Sequence, residues 1–438
     1  MKEKDEQIVE TPEKTSKKDN KKNNKKDKKI DKKTIQEEKK QLKLQKEHFK
    51  YLGEEEDEKT NPKIRVYNEI VRHAYEISDK RIDCQGIRDI EELSRIFIYV
   101  LDDYPDIFWL DSYVYWDSNG VPTEFQLKYR CLKPNGEVDI QQIERKKKEL
   151  RQAAKPFISG IKKNSSAYDA FLLIYRRLIL TLDYDGIGLN AKIDKDKSQD
   201  DRLRSLHSAL VNHKVVCAGY ATALQYLLHL VGIVCGYVSS EEADGITHAF
   251  NVVKIGKYCY FCDPTWGDYS NTLNSGFNKE FYKELVFYDY CLVPTQEFLY
   301  TAPGSEPHHM PSKHLFPRFK PLKATNHEYY RYHKYFISNY NEDEMVRIFT
   351  DTVKNYDKKE CGMFTVSYRA LNSKIGKYVM DEITKNNCEV LHRIIEKTKA
   401  NLKDKSQKAL FDLSFTYSYF TNTHIGMFYF YKETSKSK

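Results

Sequence analysis

At 438 residues, with 40% hydrophobic and 13% aromatic side chains including 33 Tyr, the chain has material for two or three packed domains. Of its formal net charge of +8, residues 1–50 carry 18 Lys against 11 acidic groups, a balance of +7. The remainder is close to neutral, and a nucleic-acid-binding core is therefore not expected. Nine cysteines, odd in number and irregularly spaced, do not form a disulfide framework, and no uninterrupted apolar run of about 18 residues is present to span a bilayer. These features, with no apolar leader at the N-terminus, lead us to expect a cytoplasmic protein with reduced thiols and no transmembrane segment.

Residues 1–60 form a tail of Lys, Glu, Asp, Asn and Gln that cannot bury enough apolar surface to offset the entropy of ordering. A disordered, solvated tail is the first reading, and a weak contact with an anionic surface the second. Residues 61–150 read as a small α/β accessory unit. Helical spacing covers 64–77 and 89–102, and two alternating runs flank Asn119-Gly120, a strong hairpin signal. A charged helix from 140 leads into a core at 151–300, where a helix over 166–182 precedes a polar surface loop at 192–204.

The chemistry is concentrated between Val215 and Asp268. Residues 218–231 place Ala221, Leu224, Leu227, Leu228 and Val231 at helical spacing, an apolar stripe for one buried face, with Gly232 positioned to end the helix. Cys217 then sits at the helix start, where free N–H groups and the helix dipole favour a thiolate. Two short β-rich runs, 248–255 and 258–263, are joined by Gly256-Lys257. If Ile255 pairs with Tyr258, Phe250 falls opposite Asp263 and His248 opposite Thr265. His248 and Asp263 then lie diagonally on one face, whereas a slip of one residue sends them to opposite faces. A thiol, a base and a group to orient the base are the parts that nucleophilic thiol catalysis needs.

Three segments, VCAGYATALQYLLHLVGI, HAFNVV and DPTWGD, resemble the core motifs of the transglutaminase-like superfamily of papain-like thiol enzymes. The resemblance covers roughly residues 155–300, with the motifs in the family's order. It implies Cys217 as nucleophile, His248 as base and Asp263 as the residue that orients it. The implied α+β fold packs the catalytic helix on an antiparallel sheet, here flanked by two small α/β units. Trp266, Gly219 and Tyr220 are the expected residues of a substrate cleft. The expected activity is acyl transfer at an amide or peptide bond through a thioester, as a peptidase, an amidase or a transglutaminase. The substrate is a protein or peptide, with no metal and no cofactor. The alternative is a catalytically silent scaffold or protein-binding module.

Cys259 and Cys262 form a C-x-x-C, but residues three apart on a strand point to opposite faces and cannot share an ion without a bend. His308-His309 falls in a Pro/Gly/Ser-rich stretch and reads as surface. Residues 301–335 read as an irregular linker. The last unit, 336–438, has a helix over 343–356, a strand over 364–369 and a long helical stretch over 373–399 that is interrupted near Asn386-Asn387. A closing hairpin around Thr421-Asn422-Thr423 completes it. Helix then aromatic hairpin echoes residues 89–131, a hint of a second copy of the same unit.

Overall fold

The computed structural model describes residues 61–185, 205–241, 247–268, 283–294 and 324–432. The Lys-rich tail, the loop expected at 192–204 and His308-His309 lie outside the described residues.

Polar caps begin most of the long helices. Asn61 caps α1 (Pro62–Glu76) and Asp89 caps α2 (Ile90–Asp103), each side chain accepting from a first-turn N–H. Asp139 and Ser166 do the same for α3 (Ile140–Ile158) and α4 (Ala167–Thr181). Each such cap contributes about 1 kcal/mol. The next long helix, α5 (Cys217–Leu230), breaks the pattern. Its cap is Val216, which has no side-chain acceptor.

In the N-terminal unit, β1 (Ile82–Asp83), β2 (Leu110–Ser118) and β3 (Val121–Tyr129) form an antiparallel sheet in the order β1-β3-β2. Asn119 and Gly120 both take positive φ, at 54° and 81°, as a two-residue hairpin turn requires. A two-strand parallel ladder follows, β4 (Asp183–Tyr184) on β5 (Lys214–Val215), and leads directly to α5. The central sheet is β6 (Cys235–Glu241), β7 (Thr247–Ile255) and β8 (Tyr258–Cys262), antiparallel with β7 in the middle. A single turn, α6 (Pro264–Gly267), closes this region.

The sheet uses both faces. Cys235, Val253, Tyr260 and Cys262 point to the α5 side, while Val238, Phe250, Val252, Cys259 and Phe261 pack on the other with Tyr290 and Val293. Cys259 and Cys262 are thus on opposite faces. Helix α5 is buried nearly all round rather than along one stripe. The sheet covers one side and α4 another, and the N-terminal unit reaches it through Gln225 Nε2, which donates to the Asp102 carbonyl at 2.7 Å. Its polar residues find partners inside: His229 Nε2 lies 2.8 Å from the Cys235 carbonyl. The turn at Gly232 (φ 84°) ends the helix, with Gly232 N–H to His229 O and Ile233 N–H to Leu228 O, as in a Schellman motif.

The stretch expected as a linker is not loose where it is described. Within 324–335 a short helix, α7 (Tyr329–Tyr332), forms on a Glu328 cap, and Tyr329, Tyr330 and Tyr335 are buried in the main core. Three aromatic side chains in so short a span bury more apolar surface than a solvated linker leaves exposed. The C-terminal unit continues with β9 (Phe336–Ile337), α8 (Glu342–Lys354), β10 (Phe364–Ala370), α9 (Ser373–Asn401), β11 (Ser414–Phe420) and β12 (Ile425–Tyr431). Lys385–Cys388 leave helical geometry inside α9, three of the four at positive φ.

The two flanking units share a topology. Each runs helix, strand, helix, hairpin, and in each the last strand sits between the first and second: β1-β3-β2 and β10-β12-β11, with β9 added parallel to β10. They differ in how they are held. The N-terminal unit has its own core of residues such as Tyr67, Trp109 and Phe125, whereas the C-terminal unit shares one continuous core with the centre of the molecule. No boundary between cores falls at 335/336.

That shared seam contains buried charge. Glu328 pairs with Arg369 at 3.2 Å, and Asp289 accepts from the Thr423 hydroxyl at 2.7 Å through Oδ2, while Oδ1 has no hydrogen-bond partner among the described residues. Burial pushes the Asp289 carboxyl up to about 6, against the opposing pull of Thr423 and Arg369. An acid whose folded value is raised binds more protons folded than unfolded, so its contribution to stability falls as pH rises from about 4 to about 6. Asp289→Asn should therefore stabilise the protein at pH 7.5 by about 1–3 kcal/mol. In urea denaturation that difference should vanish near pH 4, where the native carboxyl is already neutral.

Candidate active site

The β7–β8 ladder runs from Ile255↔Tyr258 to Asn251↔Cys262 across a turn with Gly256 at φ 61°. It stops there. The expected strand includes Asp263; instead Asp263 caps α6, and Pro264, with no N–H to give a ladder, starts the turn. The cut-off strand leaves the edge of β7 open beside His248 and Ala249, and the start of α5 fills this opening.

Asp263 is fully buried. Its Oδ1 accepts from the Thr265 and Trp266 N–H groups at 2.9 and 3.2 Å, and its Oδ2 lies 2.6 Å from His248 Nε2. Nε2 is thereby engaged, leaving Nδ1 as the nitrogen that faces the thiol of Cys217, with which the His248 side chain is hydrogen-bonded. The ring of Phe250, 6.2 Å away centre to centre, flanks the imidazole.

Cys217 is 7% exposed at the first position of α5. Burial pushes its thiol up, but the hydrogen bond and charge of His248 and the N–H of Ala249 outweigh it, and the net shift is downward. For His248, burial acts to lower the value, and the Asp263 carboxylate and the Cys217 sulfur together raise it well above the usual imidazole range. The two shifts favour a thiolate–imidazolium pair. Val216 supplies no side-chain acceptor; its carbonyl takes the Gly219 and Tyr220 N–H groups, and the N–H groups of Cys217 and Ala218 make no bond to the cap. Such groups at a helix start attract an anion.

Small residues permit this approach. Cys217, Ala218, Ala221 and Ala249 pack as one cluster under Tyr237. Asn251, fully buried, donates through Nδ2 to the Ala221 carbonyl of α5 at 2.9 Å and to the Gly236 carbonyl of β6 at 3.2 Å. It thus clamps helix to sheet three residues beyond His248. Sequence reasoning passed over Asn251 and Ala249. A polar residue inside the apolar run Ala-Phe-Asn-Val-Val was the available signal, since such a group is buried only with partners.

The three expected cleft residues separate. Trp266 is 48% exposed beside Asp263, its ring 5.5 Å from that of Tyr290. Gly219 is buried, and Tyr220 is fully buried with its hydroxyl donating to Asp268 Oδ2 at 2.5 Å. Tyr220 therefore braces α5 against the end of α6 rather than lining a cleft, its ring packed in the main core and its hydroxyl engaged by Asp268. Gly267 is held equally tightly: a Cβ there would run into the Tyr175 hydroxyl and the Ile179 side chain. Among the described residues no group of three His, Cys, Asp or Glu side chains is arranged to hold a metal ion, and no helix is long and apolar enough to cross a membrane.

Asn251→Leu keeps the volume but leaves the Ala221 and Gly236 carbonyls without their donor. The expected cost is about 1–3 kcal/mol in chemical denaturation. The native-state alkylation rate of Cys217 should change with it, since the helix start is no longer tied to β7.

No protein-family model and no curated protein matches the chain. Among solved structures, it is similar to one described as a TGase, at 15% identity and a TM-score of 0.26, over 39% of this chain and 46% of the other. It is also similar to a "Putative Cysteine Protease from Cytophaga hutchinsonii", at 16% identity and a TM-score of 0.21, over 35% of this chain and 61% of the other. The chain spans less than two thirds of either neighbour.

Proposed function

We propose that the protein is a cysteine-dependent acyl-transfer enzyme acting on an amide or peptide bond. The observation that carries this reading is the 2.6 Å hydrogen bond that His248 Nε2 donates to the buried Asp263 carboxylate, the His248 side chain being also hydrogen-bonded to a thiol at a helix start. Cys217 attacks the carbonyl carbon as thiolate, and the charge that develops on oxygen is met by first-turn N–H groups of α5. The imidazolium of His248 gives its proton to the leaving amine, which departs and leaves a thioester on Cys217. Neutral His248 then takes a proton from the incoming water or amine as that group attacks the thioester, and free Cys217 is regenerated. Asp263 fixes the imidazole orientation and stabilises its charged form throughout. Water as acceptor makes the protein a peptidase or amidase; an amine makes it a transglutaminase. Trp266 is the exposed aromatic best placed to contact a substrate chain.

The pH dependence follows from the two shifts. Thiolate appears as pH rises through the lowered Cys217 value, and imidazolium is lost as pH rises through the raised His248 value. The productive pair exists between them, so the rate profile should be bell-shaped. With one equivalent of iodoacetamide and peptide mass spectrometry, Cys217 should react ahead of the other eight cysteines, with an apparent pKa below the ordinary thiol value of about 8.5. If Cys217 reacts no faster than Cys84 or Cys388 in the folded protein, the reading gives way to a non-catalytic scaffold. Asp263→Asn should lower turnover by about 10²–10⁴-fold and move the alkylation profile of Cys217 to higher pH.

A further inference from the structure

Arg176, on α4, is drawn into the seam between the centre of the molecule and the C-terminal unit. Its one hydrogen bond is from Nε to the Tyr288 hydroxyl at 2.7 Å, and its guanidinium carbon lies 5.4 Å from the centre of the same ring. No carboxylate stands within ion-pair distance of it among the described residues. The contrast with its neighbours is sharp. Arg177, the next residue, is held by both carboxylate oxygens of Glu360 at 2.6 and 2.7 Å and by carbonyls of α3, and Arg369 across the seam has Glu328. Arg176 is half-buried, and a guanidinium does not shed its proton in a protein, so it keeps its charge at this seam without a carboxylate beside it.

Beside Arg176 is a cavity of about 50 Å³. Its wall carries hydroxyl and amide groups from Tyr288, Tyr335, Thr352, Asn355, Thr365 and Ser367, and no Asp, Glu or Lys. His333 also borders it, and burial holds that imidazole down to about 4, so it adds no charge to the empty cavity. One water takes roughly 10–15 Å³ by this kind of measure, so the space suits a single small ion with a water or two and not a nucleotide. Of the wall groups, the Thr352 hydroxyl donates to the Ile348 carbonyl and the Asn355 amide to the Asp351 carbonyl, so Arg176 is the principal donor of a polar wall from which every acid is kept out, a setting that suits a tetrahedral oxyanion. Planar guanidinium N–H pairs match two of its oxygens at once.

We propose that this cavity is a binding site for a small inorganic oxyanion of the phosphate or sulfate class, held by Arg176 and the surrounding hydroxyls. The anion bridges α4 and Tyr288 to β10 and α8, so occupancy ties the C-terminal unit to the centre of the molecule. The site is separate from Cys217, His248 and Asp263 and stands whether or not these perform catalysis.

The test is equilibrium dialysis of the full chain with labelled inorganic phosphate at constant ionic strength, with thermal unfolding in parallel. One saturable equivalent is expected, displaced by sulfate and not by equal chloride, together with a rise in the unfolding midpoint that saturates over the same concentrations. Arg176→Gln should weaken binding by about tenfold or more, the loss expected for a charge-assisted pair. Asn355→Asp, which sets a carboxylate in the wall, should do the same and serves in its place if Arg176→Gln does not fold. Absence of saturable binding by the native protein up to about 10 mM phosphate, weaker than any specific site of this kind, overturns the proposal. So does displacement by chloride as effective as by sulfate, or binding undiminished in the folded variants.

Discussion

The buried carboxylate of Asp263 is the constraint on which the arrangement around Cys217 depends. It sits at the one point where a strand must end and a turn must begin. One oxygen satisfies two N–H groups of α6, and the other is spent on His248. Because Asp263 and Pro264 stop β8 at Cys262, β7 keeps an unpaired edge just where the helix carrying the thiol arrives. A longer β8 would occupy that edge and leave the Ala249 N–H bonded to strand instead of sulfur. Strand termination and imidazole orientation are thus two consequences of one capping residue.

The start of α5 shows the complementary choice. Among the described residues the other long helices are capped by Asn, Asp or Ser, and here the chain uses Val216. A polar cap would satisfy first-turn N–H groups from within and compete with any anion for them. Local stability is given up at the place where chemistry needs free donors, a pattern expected where a functional site breaks a rule the rest of the chain obeys. The loss is offset by packing: α5 is enclosed by sheet, α4 and the N-terminal unit, and Asn251 ties it to β6 and β7.

The flanking units have one topology and two relations to the centre. The N-terminal unit closes its own core and touches α5 through Gln225 and the sheet through Tyr99. The C-terminal unit has no separate core, and its seam with the centre buries Glu328, Arg369 and Asp289. Buried charges of this kind fix how two surfaces meet more than they stabilise the contact, because each must keep its partner or lose several kcal/mol.

Much of this could be read from neighbouring residues alone. Gly256-Lys257 and the alternation on either side define the β7–β8 register, Asn119-Gly120 defines the first hairpin, and Asn386-Asn387 marks the break in α9, because turn chemistry and period are properties of short segments. The register in turn brings His248 and Asp263 to diagonal positions, which local spacing is sufficient to specify. Three-dimensional packing decided the rest. A stripe of apolar residues says that one face of α5 is buried, but not that its polar residues are enclosed as well. Tyr220 beside Cys217 looks like a cleft residue in sequence, yet it points to Asp268. Residues 324–335 have the irregular composition of a linker and fold into the core through their tyrosines. Arg176 and Arg177 are adjacent and chemically identical; one meets a tyrosine hydroxyl 112 positions away and the other a carboxylate 183 positions away, because partners are chosen through space.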